Sequence, residues 1–213
     1  MRPVFDLSLY LVIGGPALGS RNLFDVVGAA VAGGATIVQI RDPHADTRDL
    51  VEETRALKAL LGPLEVPLIV NDRVDVALAA GADGVHLGQD DMLPEDARRL
   101  LGPDFILGLS VGSPAEFEIS RGGLTAVDYL GVGPVHATST KADAGASIGF
   151  EGISAVRALT DLPIVAIGGL SSGDAGPALR AGAQGIAVVS AICGAEDPAA
   201  AARALSAELR AAR

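Results

Sequence analysis

Residues 80–87 read Ala-Gly-Ala-Asp-Gly-Val-His-Leu, and this pattern, which recurs in outline along the chain, decides the fold. A helical pattern ends in small residues, and a short aliphatic run follows at once. Glycine suits such a junction because it readily adopts the left-handed backbone that commonly ends a helix. Comparable junctions occur at residues 33–36, 81–84, 122–125 and 182–185. The sequence therefore predicts a chain of repeated helix-to-strand units.

Eight short apolar runs are the predicted strands: residues 7–13, 36–40, 67–70, 84–87, 105–109, 129–132, 164–167 and 185–189. Near-continuous apolar runs rich in Val and Ile are typical of parallel strands that are buried on both faces. Eight strands in 213 residues leave roughly 27 residues per strand–helix unit, which suits a compact (β/α)₈ TIM barrel. We therefore expect an α/β protein with a single TIM-barrel domain over residues 1–213.

An open, doubly wound parallel sheet is the alternative architecture. Such a sheet usually has fewer strands and a G-x-G-x-x-G turn after the first one. Here the first predicted strand is followed by Gly14-Gly15-Pro16, which does not match that turn. The barrel is the favoured prediction.

Two helices have clear boundaries in the sequence. Residues 47–61 carry an apolar stripe, made of Leu50, Thr54, Leu57 and Leu61, and Gly62-Pro63 ends the helix. The last helix has Asp197 as its predicted N-cap and Pro198 at its first position. Its Ala-rich part, residues 199–212, packs either on the barrel or on a partner subunit, so a homo-oligomer stays open.

Composition excludes several classes of protein. The 16 basic and 26 acidic residues give a net charge of −10, which opposes nucleic-acid binding. Asp6 interrupts the N-terminus before a signal-peptide apolar region develops, and no apolar run reaches the roughly 18 residues of a membrane span. We therefore expect a cytoplasmic protein. The single cysteine, Cys193, is predicted to be a small core residue.

Polar residues follow the predicted strands, and in a barrel these positions meet at one rim. Each has a simpler structural explanation when taken alone: Arg41 and Asp42 as a surface ion pair, or Asn71 and Asp72 as a helix cap. Independent loops, however, have no structural need to converge in polarity. The polar rim therefore indicates a functional site.

The rim offers metal ligands and anion-binding groups. Asp72 and Asp91 follow adjacent strands, and carboxylate oxygens suit Mg²⁺. Arg41 and Lys141 supply positive charge, and glycine-rich turns such as Gly168-Gly169 expose backbone N–H groups to a phosphate. Together these residues predict metal-assisted chemistry on a phosphate or diphosphate.

The three histidines, His44, His86 and His136, lie in separate segments without zinc-site spacing. His86 is expected to be a packed, hydrogen-bonded residue. His136 lies in the predicted active loop after strand 6, where a functional role is harder to dismiss.

The motifs in these loops resemble those of the thiamine phosphate synthase family. They are residues 38–42 (VQIRD), 70–72 (VND), 84–91 (GVHLGQDD), 108–110 (GLS), 133–135 (GPV), 138–141 (TSTK), 168–169 (GG) and 189–192 (VSAI). The resemblance covers nearly the whole chain in order. It implies a Mg²⁺-assisted transferase that joins 4-amino-2-methyl-5-hydroxymethylpyrimidine diphosphate to thiazole phosphate, giving thiamine phosphate and diphosphate.

The resemblance also implies roles for individual residues. Asp72 and Asp91 would bind Mg²⁺. The residues implied to hold the pyrimidine diphosphate are Gln39, Arg41, Asn71, Ser110 and Lys141, of which Arg41, Ser110 and Lys141 would be catalytic. Those implied to hold the thiazole phosphate are Thr138, Thr140, Gly169, Val189 and Ser190. Diphosphate would leave ahead of attack by the thiazole nitrogen, so no protein nucleophile is needed.

The chain departs from the family pattern on the pyrimidine side. The family usually has lysine two residues after the arginine of the Gln-x-Arg motif, where this chain has Pro43, and Arg48 is a candidate substitute. Two alternatives stay open. One is thiazole tautomerase, a sister family on the same barrel that tends to have histidine where this chain has Pro134. The other is a non-catalytic phosphate-binding barrel.

Overall fold

The computed structural model describes residues 4–138 and 145–213. Eight strands form a closed parallel barrel in which each strand pairs with the next and β8 returns to β1. The strands are β1 (Leu9–Ile13), β2 (Ile37–Ile40), β3 (Leu68–Asn71), β4 (Gly84–Leu87), β5 (Ile106–Val111), β6 (Tyr129–Val132), β7 (Ile164–Ile167) and β8 (Gly185–Val188). The predicted TIM barrel is confirmed, and the open sheet is excluded.

Helices surround the barrel. They are α1 (Leu23–Ala32), α2 (Thr47–Leu61), α3 (Val74–Ala80), α4 (Pro94–Leu101), α5 (Pro114–Ile119), α6 (Gly149–Arg157), α7 (Ala175–Arg180), α8 (Ser190–Cys193) and α9 (Pro198–Ala211). In the part of the chain that the structure describes, no helix is long and apolar enough to cross a membrane.

Two helices have the boundaries and packing that their sequences predict. The apolar stripe of α2 is buried at all four predicted positions. At the start of α9, the Asp197 carboxylate accepts a hydrogen bond from the N–H of Ala200, which caps the helix, and Pro198 occupies the first turn. Ala202, Leu205 and Leu209 of α9 are buried, and the helix packs on α1, α7 and β1 of its own barrel.

Three of the four predicted glycine junctions have the expected backbone. Gly34, Gly81 and Gly182 all have φ between 73° and 107°, which favours glycine. The junction at residues 122–125 was predicted wrongly. Residues Ser120–Ala126 form a 3-10 helix there, and neither Gly122 nor Gly123 has a positive φ. Tight packing on Pro94 instead explains Gly123, where a Cβ would lie 3.1 Å from the Pro94 ring.

The barrel has two buried layers. One lies between the sheet and the helices and contains most of the aliphatic residues. The other fills the inside of the barrel; its members are Leu7, Tyr10, Val12, Ile37, Ile69, Ile106, Tyr129, Val165 and Ala187. Only two of these inner residues carry polar side-chain atoms, and both are tyrosines. The inside of the barrel is therefore packed, and its polar atoms include these two hydroxyl groups and the buried side chains of Gln39 and His86.

Candidate active site

Because all eight strands are parallel, their C-terminal ends open at the same end of the barrel, here called the mouth. Asn71 is the last residue of β3, and Ser110 lies one residue before the end of β5. Arg41, Asp72 and Ser190 each follow a strand closely at this end. The fold thus brings the predicted rim residues that the structure describes to one end of the molecule.

Asp72 sits in a tight turn at the end of β3. Its φ is +62°, and the Arg73 N–H donates to the Asn71 carbonyl oxygen at 2.7 Å, which closes a three-residue γ-turn around it. The Asp72 N–H donates to the His86 carbonyl oxygen of β4 at 2.8 Å. A left-handed backbone is uncommon for a non-glycine residue, although Asp adopts it more readily than most, and residues with strained backbones cluster at functional sites. The γ-turn therefore fixes the backbone conformation of Asp72 where the chain leaves β3.

The neighbouring Arg73 is bound within the protein. Its guanidinium donates to both Asp75 carboxylate oxygens, at 2.8 and 2.6 Å, and to the Thr47 hydroxyl at 2.9 Å. The Arg73 hydrogen bonds lower the pKa of Asp75, and Asp75 in turn raises the pKa of Arg73. Arg73 therefore holds the start of α3 and α2 together and is a poor candidate for binding an anion.

Asp91 follows β4 and lies exposed at the mouth. One of its carboxylate oxygens accepts a hydrogen bond from the Gly88 N–H at 2.7 Å. A Cβ at position 88 would lie 2.9 Å from that same oxygen, so a larger residue there would displace the Asp91 carboxylate. Gln89 extends the turn by donating to the Ser110 carbonyl oxygen at 2.7 Å. The turn that carries Asp91 is thus tied to β5.

Asp72 and Asp91 are compatible with a magnesium site in which the protein supplies only some of the ligands. Across the described residues, no group of three or more His, Cys, Asp or Glu side chains is arranged to hold a metal. Mg²⁺ does not require one, because it keeps several waters and is commonly held by one or two carboxylates together with substrate phosphates. Asp72 and Asp91, at the ends of adjacent strands, are a donor set of that kind.

A chain of hydrogen bonds crosses the inside of the barrel below the mouth. Gln39 donates from Nε2 to the Tyr10 hydroxyl at 2.7 Å, and the hydroxyls of Tyr10 and Tyr129 are 2.9 Å apart. His86 Nδ1 lies 3.0 Å from the Tyr129 hydroxyl, and its Nε2 lies 2.9 Å from Ser110 Oγ. This series of hydrogen bonds connects the Gln39 side chain on β2 to the Ser110 side chain on β5.

Sequence reasoning missed the two tyrosines, because nothing in their flanking residues distinguishes them from packed core aromatics. Tyr10 and Tyr129 are fully buried and lie 119 positions apart in the chain. Burial raises the pKa of both hydroxyls well above the usual tyrosine range, so both stay protonated at neutral pH. His86 agrees with its predicted role, being buried and hydrogen-bonded.

The loop after β6 lies on the glycine pair that follows β7. The His136 N–H donates to the Gly168 carbonyl oxygen at 2.9 Å. Gly168 and Gly169 have φ of +99° and +69°, and a Cβ on Gly169 would lie 2.7 Å from the His136 Cβ. Glycine is required at both positions by the backbone conformation and by this close approach. The Gly133–Pro134 peptide in the same loop is cis.

His136 has a carboxylate partner. Its Nε2 lies 3.1 Å from the Asp174 carboxylate, whose other oxygen accepts the Ser171 N–H at 2.8 Å. The ring also packs edge-on against Phe150 at 5.4 Å between centroids. These contacts hold the imidazole over the Gly168-Gly169 turn, beside the position expected for a phosphate. The sequence singled out His136 but gave no sign of Asp174.

Asp42 has a structural role next to Arg41. Its Oδ1 accepts hydrogen bonds from the N–H groups of His44 and Ala45, at 3.0 and 3.1 Å, and Pro43 lies inside that turn. Among the residues described, Arg41 and Asp42 do not pair with each other, so the ion-pair interpretation of these two residues does not hold. Arg41 is half-buried and follows β2 at the mouth.

The remaining predicted residues come from the motifs after β6 and β8. Lys141 and Thr140 lie outside the described residues. Thr138 is half-buried at the end of the β6 loop. Val189 and Ser190 lie where β8 passes into α8, and N–H groups in the first turn of a helix have no acceptor within it. Cys193 is buried as predicted, and burial raises the pKa of its thiol to about 11.

Two cavities lie away from the centre of the mouth. One, of about 590 Å³, is lined by Phe5, Asp6, Gln184 and Arg213 among others, at the N-terminal end of the strands. The other, of about 390 Å³, lies between α3 and α4 and reaches Asp72. Neither contains the set of polar residues that the strand ends bring together, so the mouth is the stronger candidate for the active site.

A closed parallel barrel with carboxylates, a histidine and glycine turns at the C-terminal ends of its strands defines the class of (β/α)₈-barrel enzymes. Comparison with known proteins gives the particular family. Residues 9–192 match the family model described as thiamine monophosphate synthase. This chain therefore belongs to the thiamine monophosphate synthase family, and the family predicted from its loop motifs is confirmed.

Individual relatives agree along the full chain. The thiamine-phosphate synthase of Xanthobacter autotrophicus is 65% identical over 98% of this chain and 98% of its own. That of Azorhizobium caulinodans is 57% identical over 94% of both chains. The solved structure of thiamine phosphate pyrophosphorylase from Pyrococcus furiosus is 38% identical, with a TM-score of 0.86 over 97% of this chain and 96% of that one.

Proposed function

We propose that this chain condenses 4-amino-2-methyl-5-hydroxymethylpyrimidine diphosphate with thiazole phosphate at its mouth, releasing thiamine phosphate and diphosphate. In the reaction, the bond between the pyrimidine methylene carbon and the diphosphate oxygen breaks. A new bond then forms between that carbon and the thiazole nitrogen, whose lone pair supplies the electrons. No proton has to move in this exchange.

The metal side of the mouth is assigned to the leaving diphosphate. Asp72 and Asp91 would hold Mg²⁺, which supplies charge neutralisation to a diphosphate that is otherwise a poor leaving group. The γ-turn fixes the backbone at Asp72, and the Gly88 N–H holds the Asp91 carboxylate, and both observations support this assignment. Arg41 and Lys141 would add positive charge on the same substrate.

The rest of the pyrimidine site follows from β2, β3 and β5. Gln39, Asn71 and Ser110 would orient the pyrimidine diphosphate from the ends of these three strands. The electron-rich aminopyrimidine stabilises a methylene cation, so departure of diphosphate can precede attack. The role of the protein is then to align two substrates and keep water from capturing the cation.

The thiazole phosphate is assigned to the opposite side of the mouth. Gly169, Val189 and Ser190 would present backbone N–H groups, and Thr138 and Thr140 hydroxyl groups, to the phosphate oxygens. The positive φ at Gly168 and Gly169 supports this assignment, because turns with left-handed residues can direct backbone N–H groups at an anion. Loops after strands 7 and 8 commonly bind phosphate in this fold.

The observation that carries the proposal is the convergence of carboxylates and glycine turns with positive φ on one mouth in a chain of this family. The tautomerase family tends to have a histidine where this chain has Pro134, which cannot titrate. A cytoplasmic location stays a prediction.

The decisive experiment incubates the protein with both substrates and Mg²⁺ and follows thiamine phosphate and diphosphate together. We expect equal amounts of the two products, and none without metal. An Asp91→Asn variant is the matched negative control. Conversion of thiazole carboxylate phosphate to its isomer, without condensation, would support the tautomerase alternative. Binding of substrates with neither reaction would support a non-catalytic barrel.

A further inference from the structure

We infer that Tyr10 and Tyr129 are positioning residues that act through His86 to present the Ser110 hydroxyl to the mouth as a hydrogen-bond donor. The inference rests on the proposed function, because it gives Ser110 a task in the departure of diphosphate. Neither tyrosine is near enough to the strand ends to be one of the rim residues. Their role is to determine which nitrogen of His86 carries the proton and, through it, the direction of the Ser110 hydroxyl.

The order of the protons starts at Gln39. The amide Nε2 of Gln39 is a donor only, and it lies 2.7 Å from the Tyr10 hydroxyl oxygen. Tyr10 therefore accepts this hydrogen bond and has its own proton to donate. Its other partner is the Tyr129 hydroxyl, 2.9 Å away, so the Tyr10 proton points to Tyr129.

The same reasoning fixes the histidine tautomer. Tyr129 accepts from Tyr10 and donates its own proton to His86 Nδ1 at 3.0 Å. An imidazole nitrogen that accepts carries no proton, so the proton of the neutral ring is on Nε2. Nε2 then donates to Ser110 Oγ at 2.9 Å. Ser110 does not need its own proton for His86 and can donate it to a ligand at the mouth.

Burial keeps this order in place. Tyr10 is 1% exposed and Tyr129 is fully buried, and a low-dielectric interior makes a broken hydrogen bond costly. The space for the rings comes from two glycines in the neighbouring strands. A Cβ at Gly108 would lie 2.2 Å from the Tyr129 ring, and one at Gly131 would lie 2.9 Å from the His86 ring.

A pre-ordered donor acts mainly in the transition state. Negative charge grows on the diphosphate as its bond to carbon breaks, and a hydroxyl already directed at that charge stabilises it without first reorganising. Removing the order should therefore lower kcat more than it raises KM. A residue that only supports the packing of the barrel would instead change stability.

The direct test is ¹⁵N NMR of the His86 ring in the full-length protein, which has only three histidines to assign. In the wild-type protein we expect the proton on Nε2. In Tyr129→Phe, Nδ1 loses its donor and the ring should become a mixture of tautomers. Tyr10→Phe removes the donor that orients the Tyr129 proton, so the tautomer with the proton on Nδ1 should appear in this variant as well, although Tyr129 stays in contact with His86. A proton on Nδ1 in the wild-type protein would by itself overturn the inference.

The second readout is steady-state kinetics of thiamine phosphate formation. Tyr129→Phe is expected to lower kcat about tenfold, the effect of losing one hydrogen bond, with little change in KM for thiazole phosphate. Phe5→Leu is the packing control, because the Phe5 ring contacts Tyr129 at 5.7 Å between centroids but takes no part in the hydrogen bonds. An equal loss of kcat in Phe5→Leu would overturn the positioning role.

The two readouts separate the inference from the proposed function. If the wild-type protein forms no thiamine phosphate, the proposed reaction fails, while the tautomer measurements still decide whether the proton order exists. If the wild-type protein is active and Tyr129→Phe keeps full kcat, the proposed reaction stands and the role of the tyrosines is wrong.

Discussion

The two ends of the barrel differ in how far their charged side chains pair within the protein, although Arg73 and Asp75 do pair near the mouth. At the N-terminal end, Lys58 pairs with Asp83 at 2.5 Å and Arg98 pairs with Asp128 at 2.7 Å. At the mouth, Arg41 and Asp91 form no ion pair with any described residue. The charges at the N-terminal end, here called the closed end, neutralise one another within the protein. Those of Arg41 and Asp91 at the mouth are available to a ligand.

The closed end uses its carboxylates to join strands. Asp83 accepts a hydrogen bond from the Leu68 N–H of β3, and Asp128 accepts one from the Leu107 N–H of β5, both at 2.8 Å. Arg98 also donates to the carbonyl oxygens of Gly102 and Phe105, at 2.9 and 2.7 Å. Asp and Arg residues therefore stabilise the fold at one end of the strands and are available for substrate binding at the other end, one strand length away.

The largest expected effect is at the closed end. Arg98→Ala leaves the buried Asp128 carboxylate without its cation, and we expect a loss of about 3–5 kcal/mol in the free energy of unfolding, measured with urea. Lys58→Ala is the matched control, because the Asp83 side chain is 29% exposed and its pair contributes about 1 kcal/mol or less. Equal losses of unfolding free energy in the two variants would show that the burial of the Asp128 carboxylate does not make its ion pair more important than that of Asp83.

The next effect is at the mouth. Asp91→Asn keeps an oxygen that can accept from the Gly88 N–H but removes the negative charge, so the fold should be unchanged. Turnover with Mg²⁺ should fall about a hundredfold or more, as measured by diphosphate release. The neighbouring exposed Asp90→Asn serves as the control and should retain activity. Full activity in Asp91→Asn would remove this residue from the metal site.

A smaller effect is expected beneath Asp91. Gly88→Ala places a methyl group 2.9 Å from the carboxylate oxygen and should displace it. We expect the Mg²⁺ concentration needed for half-maximal activity to rise about tenfold, in line with other changes to groups that orient a metal ligand. Gly28→Ala, at a helix position with nothing within 4 Å, should leave the metal titration unchanged. An unchanged titration in Gly88→Ala would show that Asp91 needs no fixed orientation.

The smallest effect concerns Pro43. Pro43→Lys restores a cation typical of the family, and the turn around it should persist because it is closed by the Asp42 side chain. We expect the affinity for the pyrimidine diphosphate to rise a few-fold, the size of a partly exposed ion pair. Isothermal titration of the substrate measures it. An unchanged affinity would mean that another cation, such as Arg48, already serves the diphosphate.

The fold could be predicted from the sequence because parallel strands that are buried on both faces leave uninterrupted apolar runs. The observed strand ends lie within two residues of the predicted ones, and the barrel then determines which loops share an end. Residues 122–125 could not be predicted in the same way. Two glycines there suggest a turn, but the contact with Pro94 that explains Gly123 comes from a distant part of the chain.

The candidate site could be predicted only where its residues follow strands. Asp72 and Asp91 stand out in the sequence as charged groups after apolar runs. The partner of His136, Asp174, lies 38 residues away in another unit of the barrel. Tyr10 and Tyr129 are ordinary aromatic residues in apolar runs, and their hydroxyls meet only because the barrel closes. Contacts that form only because the barrel closes leave no pattern in the local sequence.

Gly108 and Gly131 set a limit on how the substrates of this barrel can vary. Because the rings of Tyr129 and His86 occupy the volume that side chains at these positions would take, a ligand cannot descend below the level of Ser110. Any enlargement of a substrate has to be accommodated outward, by the loops. Variants with altered specificity should therefore be sought by changing loop length and composition, while the floor beneath the substrates is held constant.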